Sequence, residues 1–131
     1  MSSPLIEWLQ ARPLAKRLKD AQMVRTKYEQ RLPVVVFPAT KSTPSISAHK
    51  FLVPEDLTVG QFLHLLRLRI TLKPEQAIFI FATHPTSTSS VDTNVLLPVS
   101  DLMKQVYQRH RSHDDDFLYL IYDIENTFGC M

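Results

Sequence analysis

At 131 residues, 44% of them hydrophobic and 21% charged, the chain has room for one ordinary core, and its composition excludes a disordered or fibrous protein. No apolar run approaches the ~20 residues that cross a bilayer, the opening MSSPLIEWLQ lacks the blocks of a secretory signal, and the single Cys130 excludes an internal disulfide, so a cytoplasmic protein resting on its core is expected. The formal charge of +2 is too small to announce a nucleic-acid binder, but it is unevenly spread: Arg12, Lys16, Arg17, Lys19, Arg25, Lys27 and Arg31 crowd one end, whereas Ser112 onward carries five acids and no Lys or Arg.

Pro4 and Pro13 bracket a short first helix, because proline suits a first turn and breaks an interior. Leu14, Leu18, Ala21, Val24 and Tyr28 then recur at helical spacing, which predicts a helix over 14–30. LPVVVF (32–37) is continuous and β-branched, as in a strand covered on both faces, and KFLVP (50–54) is a second strand beyond a Pro/Ser/Thr-rich loop. Thr58 and Gln61 have the spacing of a capping box, so a helix starts there and buries Val59, Phe62, Leu63, Leu66 and Ile70 before Pro74. AIFIF (77–81) is a strand, and the polar stretch 83–94 is expected to be a mobile loop. Ser100 is expected to cap a last helix that buries Leu102, Met103, Val106 and Tyr107, and FLYLIY (117–122) closes the domain. By periodicity this is an α+β domain.

The residues offer no catalytic machinery. There is no nucleophile elbow, phosphate loop or zincin motif, and the two glycines, Gly60 and Gly129, cannot build a phosphate cradle. Cys130 is rejected as a nucleophile because nothing holds a base against a residue so near a chain end. His110, His113 and Asp114 to Asp116 carry ligand atoms but no second cluster, so they read as a solvated turn, and no metal site is expected. An RNA-binding reading of the basic residues 12–31 is discounted, because the strand aromatics lie in hydrophobic runs without a glycine-bearing recognition string.

Three blocks carry a resemblance: RTKYEQRLPVVVF (25–37), KFLVPEDLTVGQF with the following LRLRI (50–70), and FLYLIYDIENTFG (117–129). They resemble the autophagy-related ubiquitin-like modifiers that include microtubule-associated protein light chain 3 and the GABA-receptor-associated protein. AIFIF fits the family's third strand, and RPLAKRL (12–18) is a weaker match. The resemblance implies a ubiquitin-like β-grasp fold, a four-stranded mixed sheet with two additional N-terminal helices. It divides the chain into a helical extension packed on the core (1–31), the β-grasp domain (32–124) and a flexible tail (125–131).

The same resemblance implies a binding module that is not an enzyme and needs no cofactor. Partner peptides of the form aromatic-x-x-aliphatic would add as a strand beside the second strand. The aromatic pocket would comprise Asp20, Val24, Pro33, Lys50, Leu52 and Phe117, and the aliphatic pocket Phe51, Val53, Pro54, Leu57, Phe62 and Leu65. Arg31 and Arg69 would meet acidic groups flanking the motif. Without the resemblance, the apolar members of both sets read as core and the two arginines as solvated charges. A cysteine protease would cut between Gly129 and Cys130, beside Phe128, and activating and conjugating enzymes would couple the chain to phosphatidylethanolamine on the autophagosomal membrane. Tubulin is a further implied partner; nucleic acid is not. The alternative is a non-conjugated adaptor of the same fold in cytoskeletal or vesicle trafficking. Ala48 and His49 stand where the family is lysine-rich, which removes a cation from the binding edge.

Overall fold

The computed structural model describes residues 4–85 and 94–126. In chain order the elements are α1 (Pro4–Gln10), α2 (Leu14–Lys27), β1 (Arg31–Pro38), β2 (Lys50–Pro54), α3 (Val59–Arg67), β3 (Gln76–Thr83), β4 (Val95–Leu96), α4 (Met103–His110) and β5 (Leu118–Asn126). One mixed sheet has the order β2-β1-β5-β3-β4, with β1 and β5 parallel at its centre and the other neighbours antiparallel. This is the ubiquitin-like α+β architecture with two helices in front.

The uninterrupted apolar run of β1 is explained by two cores. Leu32, Val34 and Val36 face a main cluster with Phe62, Leu66, Met103 and Val106 from α3 and α4. Val35 and Phe37 face the opposite side, where Leu5 and Trp8 of α1 and Ala21 of α2 join Phe117 and Tyr119. The Trp8 ring meets Phe37, Phe117 and Tyr119 edge-on at 5.9, 6.4 and 6.3 Å, so α1 is docked by a single aromatic anchor. Across the main core, the Tyr122 hydroxyl donates to the Pro44 carbonyl at 2.5 Å, which pins the β1–β2 loop, and burial pushes its ionisation up to about 12.

The starts of α3 and α4 are spliced together. Thr58 Oγ1 accepts from the Gln61 N–H at 3.1 Å and Gln61 Oε1 accepts from the Thr58 N–H at 2.9 Å, completing the expected capping box. The Val59 and Gly60 N–H groups donate to Asp101 and Val99, while Met103 and Lys104 donate back to Leu57 and Glu55. Gly60 permits this approach, since a Cβ there would lie 3.3 Å from the Val99 carbonyl oxygen. Thr58→Ala is expected to cost about 0.5–2 kcal/mol of stability, read from urea unfolding, by removing one arm of the box.

Several expectations are corrected. Among the described residues the sheet has five strands and not four, because the two-residue β4 pairs with Phe81 and Ala82 and is too short to show a period. The second helix stops at Lys27, and Tyr28 closes it by donating its N–H to Val24. Of its stripe only Ala21 is buried, in the cluster between α2 and the sheet, while Leu18 and Val24 are half-buried and Leu14 and Tyr28 exposed. Ser100 does not cap α4; Leu102 holds that position, its N–H donating to Gln105 Oε1 at 3.2 Å, and its side chain is exposed. The final strand continues to Asn126 opposite Gln76, so residues 125 and 126 belong to the sheet and not to a tail.

Candidate functional site

Strand β2 forms one edge of the sheet, and its pairing with β1 determines what that edge presents. The Val36 N–H donates to the His49 carbonyl at 2.8 Å, so along the antiparallel ladder Val34/Phe51 and Leu32/Val53 are the bonded pairs, whereas Val35/Lys50 and Pro33/Leu52 are not. Pro33, which has no N–H, falls where none is needed. The backbone groups of Lys50 and Leu52 therefore point away from β1, toward the open edge.

The same alternation sorts the side chains onto two faces. Lys50 and Leu52 stand opposite Val35 and Pro33, on the side covered by α2. There Lys50 Nζ lies 3.5 Å from Asp20 Oδ2, Val24 is half-buried, and Leu52 is 41% exposed above buried Pro33. Phe117, only 3% exposed, belongs to the core beneath this face, packed with Trp8 and Tyr119. The residues expected to form the aromatic pocket thus divide into walls (Asp20, Val24, Lys50, Leu52) and buried members (Pro33, Phe117).

Phe51 and Val53 face the other side. Phe51 meets Phe62 edge-on at 6.0 Å, and Val53 and Phe62 are each 2% exposed in the main core. Pro54 and Leu57 are half-buried, and Leu65, 46% exposed, stands on the outward face of α3. The Arg69 guanidinium lies over the Phe51 ring at 5.4 Å. Arg31 Nη1 donates to the Leu52 carbonyl at 3.3 Å, so it covers one of the outward backbone groups of the edge.

A second cluster joins residues that the sequence keeps far apart. Asp115, expected in a solvated turn, is 1% exposed. Its Oδ2 accepts from Arg17 Nε at 2.9 Å and from the Tyr119 hydroxyl, and its Oδ1 accepts from the Phe117 N–H at 3.0 Å. Arg17 also donates to the Arg12 and Leu9 carbonyls at 2.5 and 3.3 Å, which ties α1, α2 and the start of β5 into one knot. Burial, then the bond to Asp115, raises the Tyr119 ionisation well above that of free tyrosine, so its hydroxyl remains a donor. Asp116, at φ 64°, makes the turn possible, and Arg111 and Tyr107 hold its carboxylate and carbonyl, each at 2.6 Å. A hollow of about 290 Å³ beside this knot is lined by Ile6, Leu9, Arg17, Asp115 and Tyr119; the buried polar groups at its wall already satisfy one another, so it is a seam between docked helices and core. No local motif marks this cluster, since Arg17 and Asp115 are 98 positions apart. Gly129, Phe128 and Cys130 lie outside the described residues.

Residues 16–129 match the family described as Autophagy protein Atg8 ubiquitin like. This chain belongs to that family. Autophagy-related protein 8d of Arabidopsis thaliana is 47% identical over 118 residues, 89% of each chain, and Autophagy-related protein 8 of Candida glabrata is 44% identical over 89% of this chain and 91% of its own. The solved structure of Trypanosoma brucei ATG8 superposes with a TM-score of 0.79 at 32% identity, covering 98% of this chain and all of that one. As an Atg8-family member the chain is a ubiquitin-like autophagy protein, and the family match takes in every element from β1 to β5.

Proposed function

We infer that this Atg8-family chain is a modifier that is trimmed after Gly129, coupled to phosphatidylethanolamine, and bound through β2 by receptors carrying an aromatic-x-x-aliphatic segment. The observation that supports the reading best is the edge of β2, where the outward backbone of Lys50 and Leu52 runs between an α2-side and an α3-side group of apolar residues. An added strand would gain affinity from main-chain bonds that any sequence can make, and selectivity from side chains that alternate into the two faces. Such a strand would displace Arg31 from the Leu52 carbonyl and free its guanidinium for an acidic flank. The chain itself would catalyse nothing; a cysteine protease and the activating and conjugating enzymes would act on it. It would be cytoplasmic before coupling and on the autophagosomal membrane afterwards, with tubulin a further partner for the basic helices.

Among the described residues no helix is long and apolar enough to cross a membrane, so membrane retention would depend on the attached lipid. The two acyl chains of a phospholipid meet the usual requirement for more than one anchor. Glycine at 129 lets a carbonyl approach a nucleophile without a Cβ in the way. Gly129→Ala is expected to abolish both trimming and membrane retention in cells, with peptide binding unchanged in vitro. Intact mass and membrane fractionation check it. A wild-type membrane level in that variant, or native protein that keeps Cys130 and Met131, would favour the non-conjugated trafficking adaptor.

A further inference from the structure

We propose that His84 and His110 form a binding site for one divalent transition-metal ion of the imidazole-preferring class, such as Zn2+. In sequence His110 has His113 and the aspartates as neighbours, but the fold gives it a different partner. His84 follows β3 directly and His110 ends α4, and their ring centres lie 5.7 Å apart with the planes inclined by 47°. An ion about 2.0–2.1 Å from one nitrogen of each of two imidazoles, at a near-tetrahedral angle, places the ring centres roughly 5–6 Å apart. The pair already has that spacing, and it is not stacked.

His84 is exposed and His110 half-buried, so an ion has access. Among the described residues no group of three or more metal-binding side chains exists, so the remaining coordination positions would fall to water, as in an open site. Bound metal would clip the end of β3 to the last turn of α4 and raise stability by linkage.

The test is a titration of the full-length chain with Zn2+, following the histidine ring resonances by NMR and the melting temperature in parallel. The His84 and His110 rings are expected to shift together, saturating at one ion per chain, with a rise in melting temperature. His84→Ala, an exposed position whose loss does not threaten the core, should abolish both responses, as should His110→Ala. His113→Ala and Cys130→Ala should leave them intact. Rings that respond independently, a response that survives His84→Ala, or one that disappears with His113 or Cys130 would overturn the proposal.

Discussion

Asp115→Ala is expected to lower the unfolding free energy by about 3–5 kcal/mol, the range for breaking a buried ion pair from one side. The loss is large because one carboxylate serves three donors: the Arg17 guanidinium, the Tyr119 hydroxyl and the Phe117 N–H. Alanine would leave Tyr119, itself 1% exposed, with an unsatisfied hydroxyl, and would leave Arg17 without its anion. Asp115→Asn keeps an acceptor for the two neutral donors and should lose less. Thermal unfolding at neutral pH checks both, with a drop of roughly 10–20 °C expected for alanine. Because Arg17 holds α2 against the sheet, the alanine variant should also lose the α2 wall of the β2 edge, contributed by Asp20 and Val24.

Phe62→Ala and Leu52→Ala are expected to fail in different ways, although both residues belong to the inferred peptide site. Phe62 is 2% exposed in the main core, so its truncation should cost about 3–5 kcal/mol of stability, and any loss of peptide binding would be confounded by unfolding. Leu52 is 41% exposed over Pro33, and Leu52→Ala should change stability by less than about 1 kcal/mol. Its expected effect lies in binding, which should weaken by about 1–3 kcal/mol for an aromatic-x-x-aliphatic peptide. Urea unfolding paired with calorimetry separates the two outcomes. Unchanged peptide affinity in folded Leu52→Ala would remove Leu52 from the site.

The features legible in the sequence were those written in local periods. Short apolar runs, β-branched and continuous in β1, marked β1, β2, β3 and β5, and the Thr58–Gln61 spacing marked the start of α3, because each depends on neighbours within a turn or a strand. Two-residue β4 was hidden by its length. The cap of α4 was misplaced because its first N–H groups are satisfied by the Glu55 and Leu57 carbonyls, a partner that no local motif announces. Asp115 was misread for the same reason: three consecutive aspartates look solvated until the fold brings Arg17 to the middle one. The resemblance names residues for an inferred site at the β2 edge, but which of them are exposed and which buried is not written in the sequence, since Leu52 and Phe62 are equally apolar letters whose exposure is fixed only by the register with β1 and the pitch of α3.

The strand at the middle of the sheet is the last of the described strands to appear along the chain. Neither β1 nor β3 can reach the other except through β5, so the pairings that complete the sheet join opposite ends of the sequence. Closing a loop of that size is costly before any contact rewards it, which places the chain among slow, topology-limited folders. A partly assembled chain that has formed only the β1–β2 hairpin would expose the other edge of β1, with Val34, Val35 and Val36 unpaired. In that interval the chain is most exposed to pairing with a second copy of itself, and the hazard ends when β5 docks.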